Sequence, residues 1–467
     1  MIRIFLTLLL SVVCGLGAAG TAFVAPVAPF GANTKIATSA NQFTNAVINA
    51  TSGTLIVVPV PLVIPAMTNL WKNGVHYFFY PGAGLTSMNG ATDGWFDDTD
   101  SARTSIVSGA GSFVMSNNVP FANLISPSSY LGVQCDSIWK ANTNHTVGVF
   151  NHGAGRLVVH AHKELRSEGY DIYINSLGTL IDPDCYASIF ADKWFAAEDA
   201  IEISNPIETP GQAFFRGTLF EKLTNTTAAT SSEFMLLNGH VVVEADTINL
   251  NTNAMLQGGN AADGTYPLID ARIITARSDS KVPITSTVGG LLRIRGARII
   301  GPTAVDPIFA AQQIYLEDCE IVSGASATNS IRGSSGVSVE VVGSLKIDKP
   351  VHHFIAVNGP TTGLVYTNSY DAANVFVNIG GNSHQALVAT NSFTLIPTNS
   401  TGLATGKTIR FDVINNQSTG VVVTVVANCK LQGQGHINST SFSITNSRHA
   451  NLFITAVGTN RIVTVSP

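Results

Sequence analysis

Charge is scarce in this chain. Asp, Glu, Lys and Arg supply 12% of its 467 residues, about half the usual share of roughly 25%, so solubility rests on neutral polar side chains. No Lys/Arg run occurs and the formal net charge is -5, which excludes a phosphate-tracking surface, and no nucleic-acid partner is expected. Cysteine is almost as rare. The five cysteines are widely spaced, unlike a disulfide framework or a zinc site. Long hydrophobic runs are missing beyond the first two dozen residues, so nothing there reaches the roughly 20 residues of a spanning helix.

The N-terminus is the exception. It reads MIRIFLTLLLSVVCGLGAAGTA: one Arg, an apolar stretch, then small residues suited to cleavage. Residues 1–22 are therefore expected to be a secretory signal peptide. Cys14 follows Val13, where a lipoprotein would carry a small residue. A secreted or cell-surface location follows, with no membrane span after cleavage. Cys135, Cys185, Cys319 and Cys429 then remain; they allow three disulfide pairings, but small buried packing residues are the favoured reading.

What the chain does have is a repeat. VVVEADTINL (241–250), PLIDARIITA (267–276), LLRIRGARII (291–300), IYLEDCEIVS (314–323) and VEVVGSLKID (339–348) share one shape. Alternating apolar residues are followed by a small or short polar pair and then an apolar anchor. The anchors Ile248, Ile273, Ile299, Ile321 and Ile347 are spaced by 25, 26, 22 and 26 residues. Strand chemistry at such a period indicates a solenoid, and without an Asn ladder a parallel β-helix rather than a leucine-rich repeat. Asp318-Cys319, Gly296-Ala297, Asp270-Ala271, Ala245-Asp246 and Gly343-Ser344 should then stack at one corner, because Asp and Gly accept the backbone angles of a bend. That explains why Asp318 interrupts an otherwise buried strand.

Upstream, GTLIVVPVPLVIPAMTNLWKNGVHYFFYPGAGLTSM (53–88) resembles the first coils of the right-handed parallel β-helix proteins of the pectin-lyase-like superfamily. The matching residues are Leu55 to Val58, Pro59, Val75 to Tyr80 and Pro81-Gly82-Ala83. The resemblance implies the handedness and specifies fold better than activity. An all-β right-handed solenoid is expected over residues 23–369. Residues 187–240, with their aromatic cluster and TNTTAATSSE, suggest a looser insertion. Residues 370–467 lose the repeat and show hairpin patterns, including LFITAVGTNRIVTVSP, which suggests a small C-terminal antiparallel β-sandwich capping the open edge. A β-helix with such an end resembles bacteriophage tail spikes and fibres, and that resemblance implies a homotrimer.

Catalytic signatures of the superfamily are missing. Asp97-Asp98 lies in a loop-like context, Gly239-His240 and Gly435-His436 lack a second Gly, and Arg293-Ile294-Arg295 is a repeat strand. No catalytic residue, metal or cofactor is expected. His160 and His162 share a strand face, as metal ligands could, but a stacked surface ladder accounts for them. Asp93, Asp97, Asp98 and Asp100 read as a solvated loop. For glycan contact the candidates are Asp182 and Asp184 around Pro183, and Trp194 with Phe195 beside Asp192 and Glu198. The chain thus reads as an elongated attachment protein of the tail-spike, fibre or adhesin type that binds cell-surface polysaccharide. The alternative is a secreted polysaccharide lyase or glycoside hydrolase, which a compact carboxylate cluster with a Lys or Arg would favour.

Overall fold

The computed structural model describes residues 33–466 apart from short stretches, of which 176–184, 224–232, 399–407 and 433–440 are the longest. The expected signal peptide lies outside the described residues. The described residues form a parallel β-solenoid followed by a small C-terminal region with antiparallel strands. One wall stacks the long strands Tyr130–Lys140, Arg156–Ser167, Tyr186–Ala196, Gln212–Lys222, Val241–Leu250 and Leu268–Ala276, each hydrogen-bonded in parallel to the next. The split rung Leu292–Arg295 and Arg298–Ile300 then leads to Ile314–Val322 and Ser338–Ile347. The opposite wall stacks short strands, among them Phe150–His152, Tyr173–Asn175, Ile201–Ile203, Met235–Asn238 and Leu256–Gly259. Side chains that alternate inward from both walls form one continuous core from Ala37 to Ile347.

Each long strand bends once, and the bend carries one extra residue, or two in Arg156–Ser167 and Ser338–Ile347. In Ile314–Val322 the inward positions are Ile314 and Leu316, then Cys319 and Ile321, so one residue is inserted and the phase resets. This is a β-bulge repeated rung upon rung. The inner side of the bend is crowded, and small residues fill it: Cys135, Ala161 and Ala191, then Gly217, Ala245 and Ala271. The outer residue takes a left-handed backbone at Gly296 (φ 70), Asp318 (φ 50) and Gly343 (φ 72). Among the described residues Asp318 is the one non-glycine with positive φ. It holds the conformation because its carboxylate accepts from Ser344 N at 2.9 Å and Ser344 Oγ at 3.2 Å, and Gly343 leaves room for it. Asp318→Ala should therefore cost about 1–3 kcal/mol in urea unfolding through strain plus lost bonds, and Asp318→Gly distinctly less. Equal losses in the two variants would show that the left-handed strain contributes nothing.

The first coils end in a cap that the repeat pattern does not reveal. Helix Ala40–Ile48 buries Phe43, Ala46 and Val47 over the open core. It starts at Ser39, whose Oγ accepts from Gln42 N, while Gln42 Oε1 accepts from Thr38 N at 2.8 Å; this is the reciprocal logic of a capping box.

Two expectations need correction. The described strands within 187–240 are not a loose insertion, since Tyr186–Ala196 and Gln212–Lys222 sit in register at the middle of the ladder, while 224–232 lie outside the described residues. Their aromatics alternate inward (Trp194, Phe215, Phe220) and outward (Phe190, Phe195, Phe214), and this alternation was hidden by their density. Parallel pairing also continues past residue 370. His384–Ala389 pairs in parallel with Tyr366–Asn368 and Thr408–Asn415, and Phe393–Thr398 with Asn374–Asn378 and Val421–Val425. The antiparallel region begins further on, where His449–Val457 pairs with Thr408–Asn415 and with Asn460–Ser466, and Ser441–Ile444 with Val421–Val425.

Candidate functional site

Along the outer face, the last residue before the bend forms a column: His160, Phe190, Arg216, Glu244, Asp270, Arg295 and Glu317. Adjacent rungs lie about 4.8 Å apart, so neighbours in the column touch. The His160 ring stands edge-on to Phe190 at 4.7 Å, and the Arg216 guanidinium lies 5.7 Å over the same ring. Arg216 Nε is 3.6 Å from Glu244, and Arg295 Nε donates to Asp270 at 2.9 Å. Half-exposed ion pairs of this kind add little stability. Their effect is to hold long side chains in fixed positions.

Beside this column the bend opens a cleft of about 370 Å³, walled by Phe190, Arg216, Thr218, Glu244, Asp246 and Asp270. It exists because Gly217 and Ala245 occupy the bend. Gly217 cannot be replaced without movement, because a Cβ there would stand 2.8 Å from Ala191 O and 2.8 Å from the Trp194 ring. Trp194 is the floor beneath. Its Nε1 donates to Arg216 O at 3.1 Å, and its ring stacks on Phe220 at 4.9 Å.

That position corrects one expected glycan contact. Trp194 has no exposed surface, because an aromatic at inward parity beside the small bend residues fills the core. Phe195 points the other way, out of the wall beyond the bend. There the Arg166 guanidinium lies 5.6 Å from the Trp139 ring and 5.8 Å from the Phe195 ring, with its Nε donating to Glu168 at 3.0 Å. Asp182 and Asp184 lie outside the described residues. Asp192 accepts from Thr218 Oγ1 at the rim of the cleft. The His160 and His162 rings pack 4.5 Å apart, with His162 Nε2 facing Gln134 Nε2 at 3.2 Å. Asp98 is a buried backbone cap, accepting from Ile125 N and Ser126 N.

The reading of the residues missed a second constellation, inside the solenoid where the long wall turns toward the short one. Lys140 and Lys222 take the last inward position of their strands and are fully buried. Facing them are Glu198, Asp199 and Asp171, all buried, and the half-buried Glu202. Carboxylate oxygens of Asp171, Asp199 and Glu202 lie within 4.8 Å of one another, the only such trio of metal-ligand side chains among the described residues. Burial, then the neighbouring Asp199 and Glu202 carboxylates, push the Asp171 carboxyl well above its ordinary range. Lys222 Nζ donates to Glu233 O at 2.7 Å and stands 4.0 Å from Asp199. Lys140 Nζ has no hydrogen-bond partner among the described residues, and burial lowers its pKa to about 8 against the pull of Asp171 and Glu198. Two buried lysines already face these carboxylates. The arrangement fits an internal charge network better than a cation site.

A third cluster resembles nucleophile machinery by composition only. Cys185 Sγ is 3.7 and 3.8 Å from the two ring nitrogens of buried His152, with Asn175 Nδ2 at 3.8 Å. Gly155 O can only accept, so His152 Nε2 carries the proton toward it at 3.2 Å, and Nδ1 receives the Tyr173 hydroxyl at 2.9 Å. Both nitrogens are committed, so the imidazole has no lone pair with which to activate the thiol. Cys135, Cys185 and Cys319 are buried and form no disulfide, in line with packing roles.

No family model, curated protein or solved structure matches this chain. Function therefore has to be argued from its own surfaces.

Proposed function

We propose that the protein is an elongated attachment protein of the tail-spike, fibre or adhesin kind that binds cell-surface glycan through the cleft at the bend. The observation that carries this reading is a concave, exposed site with an aromatic edge at Phe190, a positioned Arg216 and three carboxylates, on a rigid wall. Rigid elements hold such groups with little ordering cost on binding, and the volume falls within the range of small-ligand pockets. Secretion, a polysaccharide partner and trimer formation complete the proposal. The test is a glycan array with the full chain, followed by Arg216→Ala, with Arg166→Ala as a surface control. Arg216→Ala should weaken the best glycan by about tenfold or more, the loss of one charged hydrogen bond, and Arg166→Ala should not. A blank array, or equal losses in both variants, sinks the reading.

The hydrolase alternative has one observation in its favour, the Asp171, Asp199 and Glu202 trio with two lysines. Burial of Asp171 and Asp199 weighs against it. Polysaccharide turnover abolished by Glu202→Gln would establish it in place of simple attachment.

A further inference from the structure

We infer that the cleft takes a neutral or amine-bearing sugar and turns away uronic acids, an inference that rests on the glycan-binding reading above. The argument is a balance of charge at the site. Its walls supply the carboxylates of Glu244, Asp246 and Asp270, and among cations Arg216 alone. Asp270 is engaged by Arg295, which reaches it with both Nε and Nη2. Arg216 is engaged by Glu244 on one side and by the Phe190 ring on the other. Asp246 differs from these, because it is exposed and has no hydrogen-bond or ion-pair partner among the described residues.

The open valence of the cleft is therefore an acceptor. Sugar hydroxyls donate well to carboxylates, and a protonated sugar amine would add a charge-assisted bond to Asp246. A uronate finds the reverse. The one cation in the wall, Arg216, already faces Glu244, and any ring seated in the cleft brings its carboxylate near Asp246 as well. Like charge at such range discriminates by repulsion rather than by fit. The chain as a whole has a net charge of -5, so long-range steering also favours a neutral or cationic glycan.

The experiment compares glucosamine oligomers, their N-acetylated equivalents and oligogalacturonates of equal length, by calorimetry on the full chain in low and moderate salt. The expected order places both amino-sugar series at least about tenfold ahead of the uronates. Asp246→Asn should remove the preference of the free amine over its acetylated form, whereas Glu340→Gln on a distant rung should leave it. Uronates binding as well as the neutral series would overturn the inference while leaving glycan attachment standing. Amine preference untouched by Asp246→Asn, or lost equally in Glu340→Gln, would also overturn it by reducing it to general charge adsorption. Failure of all three series, together with a blank array, would instead count against the attachment reading itself.

Discussion

Trp194→Ala should lower the free energy of unfolding by about 3–5 kcal/mol, the range for removing a large aromatic from a packed core. The side chain is fully enclosed, stacks on Phe220 at 4.9 Å and meets Phe215 edge-on at 6.0 Å. It also donates to Arg216 O, so its loss leaves that backbone oxygen without its indole donor at the place where the cleft begins. Trp194→Phe keeps most of the packing and loses the hydrogen bond, which should cost less, about 1–3 kcal/mol. Urea unfolding of the three proteins gives the stabilities, and glycan affinity measured well below the transition separates two roles for the residue. A tryptophan that supports the cleft from beneath should leave affinity nearly intact in Trp194→Phe. If Trp194→Phe unfolded like the wild type but lost all affinity, Trp194 would be a ligand-contacting residue and the enclosed position described here would be wrong.

How far the residues announced this arrangement can be judged at the bend. The left-handed corner was legible because its chemistry is local: only Gly, or an Asp that bonds its neighbour, sits easily at positive φ, and Gly296, Asp318 and Gly343 recur at the solenoid period. The rungs between 187 and 240 were not, since counting aromatics hides the alternation that places Trp194 inside and Phe195 outside. The cap helix was missed because nine residues are too few for a strong periodic signal, although Ser39 and Gln42 have the spacing of a capping box. The cleft could not have been read at all. It depends on which residue of one rung lies above which residue of the next, and pairs such as Arg216 with Glu244 are 28 positions apart. The buried lysines were within reach: following inward parity through the one-residue bulge takes Cys135 to Ile138 and Lys140, and Gly217 to Phe220 and Lys222.

Those two lysines should respond to the same substitution with opposite signs. Lys222→Met removes the donor to Glu233 O and the cation nearest Asp199. It leaves buried acceptors without compensation, a loss of about 3–5 kcal/mol for one broken buried pair. Lys140→Met removes an ammonium that has no hydrogen-bond partner among the described residues, and burial outweighs the pull of Asp171 and Glu198 on it. Burial lowers the Lys140 pKa from 10.5 to about 8, so keeping it charged below that value costs about 3 kcal/mol, and methionine should recover much of it. The pH profile supplies an independent readout. Between pH 8 and 10.5 the unfolded chain holds the Lys140 proton and the folded chain does not, so stability rises with pH across that window as the penalty is relieved. Asp171 acts at the other end, because a carboxyl with a raised pKa favours the folded state most in acid and loses that contribution as pH climbs through its folded value. Lys140→Met should abolish the alkaline rise, so that variant and wild type converge toward pH 10.5, while the acid-side slope survives. Thermal unfolding at a series of pH values tests this directly, and destabilisation of both variants to the same degree would mean that Lys140 is a working member of the charge network rather than its uncompensated cost.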